Sequence, residues 1–572
     1  MWPFWVPEWQ ATIDGKRAAR DRLIASVPPQ PQPTPPQLVQ AILGANASEI
    51  VRHIQNEDEG WTATNVVRAY IERAIVAQSK TNCLTEILFA EALAEAEALD
   101  KEFRATKKIK GPLHGVPVSF KDLFHIKGFD HTIGFTDWAN HPAADDAMLV
   151  RQIRAAGGII IAKTNVPQTM VSFECSNPLW GRTLNPWNPD YTCGGSSGGE
   201  AALLSSDGAV LGFGSDIGGS LRIPAHFCGI YSLKPGADRY PLEGCATACP
   251  GFSGVTIVAG PMARSVSDLE LACRVVFGSA PPSPFSLPPL PYRDVELPKK
   301  LRFGYYTADG YVKASPACQR AVLETVAALR REGHECMEFQ PPDTSEAMQR
   351  FSELTSADGY KTIYSYIKHD ALEPNVSFMN QSHIPGSRSF FAWFVRYVLK
   401  DEIAAKLIMS SGVKSVDETW KIKMACNQYV RRWYEEVWEK DHFDAIIAPP
   451  SAAPALPHGS TKSLAALAGA TILYNIVDSP VGIIPVLRVD PAKDQITDEW
   501  RKFGAHGSVL LENELYHLDG GDAYYDPEKM AGLPVGIQLV GRRWEDEKLL
   551  AMMHVVDKAL GPREFGPGLG AR

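Results

Sequence analysis

The sequence lacks nearly everything that would assign it to a special class. It has no apolar run of about 18 residues, the length a membrane-spanning helix needs, so no span is expected. Ten cysteines are scattered through 572 residues. Only Cys245 and Cys249 lie close together, and no CxxC pair or zinc-ligand spacing occurs. They read as reduced, mostly buried thiols of a cytoplasmic protein. The 14 histidines include no HExxH or comparable spacing, so neither metal nor cofactor is expected. Positive charge is not in excess: 57 Lys and Arg against 66 Asp and Glu give −9, which argues against nucleic acid as a partner. The opening MWPFWVPEWQ is apolar but too short and too acid-flanked for a signal peptide. No internal repeat is visible. What remains, 45% hydrophobic and 22% charged, suits a large globular protein that buries its core without staples.

Two proline-rich segments punctuate the chain. VPPQPQPTPPQ (27–37) reads as a linker or extended arm rather than a packed element. PPSPFSLPPLPYRDVELPKK (281–300) joins two halves. Between the first of these and residue 111 lie two helical signals. In TATNVVRAYIERAIVAQS, apolar residues recur at helical spacing behind a cap at Thr62 or Thr64. EALAEAEALDKEF follows as a strong helix former. Beyond residue 111, short apolar runs (GVPVSF, GGIIIAK, GAVLGFG, DAIIAPP, PVGIIPVLRV, GLPVGIQLVG) alternate with amphipathic stretches, which predicts an α/β core with several buried strands. The expected division is an N-terminal arm over 1–59 and one catalytic unit over 60–565, with a helical insertion at about 343–440. One insertion helix, SFFAWFVRYVLK (389–400), is unusually aromatic. It suits an ordinary core helix, a channel wall or a membrane contact.

The informative window is CGGSSGGEAALLSSDGAVLGFGSDIGGSLRIPAHFCG, residues 193–229. Two glycine turns, each carrying serines, flank a strand-like run. Glycine lets backbone N–H groups approach a ligand closely, and a row of them beside a serine suits an oxyanion hole. The first turn also fits G-x-S-x-G, with Ser197 as nucleophile, but that motif needs a strand running into it. The turn-rich NPWNPDYTC precedes it instead. A phosphate-binding loop fails because no Lys-Ser or Lys-Thr follows the glycines.

Read together, GGSSGGE and GSDIGGSLRIPA resemble the amidase signature family. Ser196 and Ser220 stand 24 residues apart, as the family pattern requires. GPLHGVPVSFKDLF places a lysine at a strand end, like the family's GVPxxxKD segment, and AKTNVPQTM, CSNPLWGRTLNPWNP, FCGIYSLKP, GPMARSV and LPVGIQLVG match further blocks. The resemblance spans about residues 60–560, and GYYTADGYVKASPACQRAVLETVAAL is similar to the fungal acetamidase and fatty-acid amide hydrolase branches. It implies a mixed, twisted sheet covered by helices on both faces. Position by position it implies Ser220 as acyl-accepting nucleophile, Ser196 as a bridging serine on a cis peptide bond and Lys121 as base. Backbone N–H groups of Ile217, Gly218, Gly219 and Ser220 would form the oxyanion hole, Met170 would touch substrate, and Asp216 and Arg222 would brace the loop. His226 reads as packing.

The chemistry agrees with the resemblance. A serine hydroxyl needs a neighbouring base, and lysine, with a pKa of about 10.4, serves only if burial disfavours its charged form. Lys121 follows a run that looks buried. Ser196 would pass the proton of Ser220 to Lys121 and return it to the leaving amine, a step amides need more than esters. The expected reaction is hydrolysis of a carboxamide through an acyl-enzyme, without cofactor. Rival readings are a transamidation subunit acting on aminoacyl-tRNA and a non-catalytic binding protein. The acidic balance and the intact Lys121, Ser196 and Ser220 argue against them. Short aliphatic, aryl, lactam and long-chain amides all stay open as substrates, as does a homodimer.

Overall fold

The apolar runs beyond residue 111 become the centre of one mixed sheet of eleven strands, flanked by helices. The computed structural model describes residues 7–29, 33–279, 287–383, 387–502, 507–517 and 523–571. The start of the opening segment and parts of both proline segments lie outside them. The strands are β1 (Leu84–Ile87), β2 (Pro117–Lys121), β3 (Ile159–Thr164), β4 (Ser176–Asn177), β5 (Gly181–Arg182), β6 (Leu211–Asp216), β7 (Tyr231–Lys234), β8 (Val258–Ala263), β9 (Arg302–Tyr305), β10 (Glu335–Glu338), β11 (Ala445–Ala448), β12 (Val481–Arg488) and β13 (Pro534–Val540). The sheet order is β1-β3-β2-β6-β8-β7-β12-β13-β11-β9-β10, with β4 and β5 paired apart. Strands from before and after the second proline segment therefore share one sheet.

Parallel pairing is confined to two places: β3-β2-β6, and β11-β9-β10. Consecutive residues of β2, β3, β6, β8 and β13 are all buried, so both faces of the sheet are covered. Register places Phe120 opposite Phe213, and their rings stack at 5.1 Å. The same register brings the C-terminal ends of β2 and β6, hence Lys121 and Ser215, to one edge of the core.

The first helical signal forms Ala63–Thr81, capped by Thr62, whose hydroxyl accepts from Asn65 N–H at 3.1 Å. Thr64 instead donates to Asp100. The first proline segment departs from the linker reading. Pro36 opens a packed helix, Pro36–Gly44, because proline's fixed φ and missing N–H suit the first helical position. The helix Glu8–Ala25 is tied to the sheet by Arg20, which donates to Leu84 O at 3.1 Å, and by Lys16, paired with Glu86 of β1 at 2.5 Å. All ten cysteines are unpaired; eight are buried, and Cys245 and Cys249 are half-buried.

Candidate active site

Lys121 ends β2 with no exposed surface. Its Nζ lies 2.7 Å from Ser196 Oγ and 3.0 Å from Ser215 Oγ, with hydroxyls rather than a carboxylate in contact. Burial pushes its pKa down to about 7, against the opposing pull of the Asp216 carboxylate. A lysine in this state is partly neutral near pH 7 and presents a lone pair to Ser196.

Ser196 sits on the turn that precedes the helix Gly198–Ser205, and the peptide bond Gly195–Ser196 is cis. The helix packs against β2, β3 and β6. Its Glu200 carboxyl is wholly buried, 2.6 Å from Ser119 Oγ and 2.8 Å from Thr164 Oγ1, which ties the helix to β2 and β3. Burial pushes Glu200 up to about 8, outweighing the two hydroxyl contacts, so the acid is largely protonated at neutral pH.

The second glycine turn is held from beneath by ions. Arg222 grips Asp216 through Nε at 3.0 Å and Nη2 at 2.9 Å, and reaches Thr471 O at 2.8 Å and Asn475 Oδ1 at 2.6 Å. Burial alone would raise Asp216, but the guanidinium charge and its paired bonds hold the carboxyl well below the usual range. Asp216 in turn accepts from Gly219 N–H at 2.9 Å and Leu221 N–H at 3.0 Å. Thr471 donates to Gly218 O at 2.7 Å.

Gly219 N–H is thus engaged by the carboxylate that braces the loop. Gly219 has φ +128°, a conformation closed to most side chains, and a Cβ there would meet Thr471 Oγ1 at 2.3 Å.

Ser220 lines an apolar cavity of about 770 Å³ together with Met170, Gly195, Ile217, Gly218 and Gly219. Met170 and Thr169 take left-handed φ values of 61° and 68°, an unfavourable pair for non-glycine residues that turns this backbone toward the cavity. Gly195, the residue before Ser196, is part of that lining, whereas Ser196 and Lys121 are not. Among the described residues Ser220 Oγ makes no hydrogen bond, and Ser196 Oγ is engaged by Lys121 instead. Ser197 is buried off the cavity and donates its N–H to Ser220 O at 3.1 Å, a bracing contact. His226 fits the packing reading: its Nδ1 accepts Gly536 N–H, its Nε2 meets Ala453 O at 3.2 Å, and burial pushes it down to about 4.

Several residues here escaped sequence reasoning. Ser215, Glu200, Thr471 and Asn475 carry no motif of their own, although Glu200 ends GGSSGGE and Ser215 precedes Asp216. From the insertion, Phe390 and Phe391 line the cavity, and both, like Trp393, Phe394 and Tyr397, are exposed, so the aromatic helix Ser387–Tyr397 is no ordinary core helix. Among the described residues, no group of three His, Cys, Asp or Glu is placed to hold a metal, and no helix is long and apolar enough to cross a membrane.

Comparison with known proteins agrees with this architecture. The sequence profile of the Amidase family matches residues 65–550. The chain is 34% identical to Amidase 1 of Gibberella moniliformis over 96% of its length and 99% of the relative's. It is 32% identical to the acetamidase of Emericella nidulans over 91% and 90%. A solved fatty acid amide hydrolase superposes with a TM-score of 0.83 at 27% identity, covering 97% of this chain and 95% of the other. Over nearly its whole length, then, the chain belongs to the amidase signature family and is a hydrolase of amide C–N bonds.

Proposed function

We propose that this protein is a serine amidase in which Ser220 is the nucleophile, Ser196 the proton bridge and Lys121 the base. The observation that carries the reading is a wholly buried lysine with its Nζ 2.7 Å from the hydroxyl of Ser196, whose neighbour Gly195 lines the same cavity as Ser220. Neutral Lys121 takes the Ser196 proton as Ser196 takes that of Ser220. Ser220 Oγ then attacks the amide carbonyl. The N–H groups of Ile217, Gly218 and Ser220 hold the developing oxyanion. Protonated Lys121 returns the proton through Ser196 to the departing nitrogen, and water, activated by the same relay, releases the acid from Ser220.

The size and apolar lining of the cavity favour amides with a substantial apolar portion over acetamide-sized ones, since drug-sized ligands fill sites of roughly 300–1,000 Å³. The names of the relatives, acetamidase and fatty acid amide hydrolase, bracket that range. The test is a fluorophosphonate probe followed by peptide mapping. An adduct on Ser220, lost in Ser220→Ala, supports the assignment; an adduct on Ser197 overturns it. Hydrolysis rates from acetamide to long-chain N-acyl amines then place the substrate.

A further inference from the structure

The chain carries a net charge of −9, yet the charged side chains lining the cavity are both cations. Arg388 projects from the aromatic helix and Lys462 from the turn of helix Thr461–Leu464. No Asp or Glu is among the described residues that line it. Lys462 is exposed, which puts it at the mouth, and Arg388 is half-buried. Arg388 donates to Ser411 O, a neutral acceptor. Among the described residues neither cation forms an ion pair. The surface elsewhere is well supplied with such pairs, for instance Arg396 with Glu402 one turn beyond the same helix.

Phe390 and Phe391, close in sequence to Arg388, and Ala465 and Ala466, close to Lys462, line the same cavity. Apolar walls lower the local dielectric and focus the field of unpaired charges into the cleft. A guanidinium in such a wall gains most from a carboxylate, which its planar donors match. A cationic ligand meets two like charges and no partner.

Building on the serine amidase reading, we propose that Arg388 and Lys462 form an anion subsite at the cavity mouth, and that the preferred substrates are amphipathic amides carrying a carboxylate at the end remote from the scissile bond. The catalytic serine holds the amide, the apolar wall holds the connecting chain, and the two cations hold the acid.

The test uses anilides of straight-chain dicarboxylic acids, each with one free carboxylate, against matched anilides in which that carboxylate is a primary alcohol. At some chain length the acid should exceed the alcohol in kcat/KM by about tenfold, chiefly through KM. Salt should erode the preference. Lys462→Glu should abolish or invert it, and Lys462→Arg should keep it. Calorimetric binding of the same pairs to Ser220→Ala reads the subsite without turnover. Equal binding of acid and alcohol at every length, or a preference unmoved in Lys462→Glu, overturns the subsite. Loss of turnover with all anilides, with the acid still bound more tightly, overturns the serine amidase reading instead.

Discussion

Lys121 and Lys163 sit on neighbouring parallel strands, in adjacent register, and neither has any exposed surface. Their surroundings are opposite. Lys163 meets Asp122 Oδ1 at 3.2 Å and the carbonyl oxygen of Asp130, so its charge is answered. Lys121 meets two hydroxyls, and burial acts on it without a carboxylate in contact. The two lysines differ in their partners, not in their burial. A buried lysine beside a carboxylate is an ion pair that holds strands together, while a buried lysine among hydroxyls can give up its proton and take another.

Exchanging each lysine for methionine separates the two roles. Lys121→Met should lower amide kcat/KM by about 10³-fold while stability at pH 7 holds or rises, because an uncompensated buried amine is replaced by an apolar chain of similar length. Lys163→Met should do the reverse. It leaves Asp122 buried without its cation and should cost about 3–5 kcal/mol in urea unfolding. Equal loss of stability in both variants would erase the distinction.

A smaller effect is expected at the bridge. Ser196→Ala should reduce amide turnover by about 10²-fold and matched ester turnover by clearly less, because an amine needs a proton to leave and an alkoxide departs more readily. Stopped-flow rates on an amide and ester sharing one acyl group measure this; an identical drop would remove Ser196 from the proton path.

The mildest change concerns Glu200, the buried acid opposite Lys121 in its titration. Its native pKa of about 8 stands above the ordinary 4.5. Between those values the unfolded chain gives up a proton that the native state keeps, so this site's contribution to stability falls as pH rises. Lys121 runs the other way: between about 7 and 10.5 the unfolded chain binds the extra proton, and stability rises with pH. Glu200→Gln preserves shape and hydrogen bonding. It should flatten the decline in urea midpoint from pH 5 to pH 8 and change activity less than about threefold.

The contact of Lys121 with Ser196 was legible in the sequence because the two lie in short windows, 111–124 and 193–229, where glycine, serine and lysine spacing expresses backbone geometry directly. Even there the hold of Asp216 on Gly219 N–H was not visible, since the direction of one N–H depends on where Asp216 lies in three dimensions. The substrate end was not legible. Arg388, Lys462 and Leu510 come from segments far apart in the chain and line one cavity only in the folded molecule. Pro36 misled for a simpler reason: proline breaks a helix interior but starts a helix well.

The central claim is that Lys121 is the base, and the most direct measurement is the pH dependence of kcat/KM between pH 5 and 10 on a non-ionising amide. With Lys121 as the base, kcat/KM rises with an apparent pKa near 7 and reaches a plateau above it, a rise absent from the residual activity of Lys121→Met. A rising limb near pH 10, the value of an ordinary lysine, or an unchanged profile in Lys121→Met would contradict it.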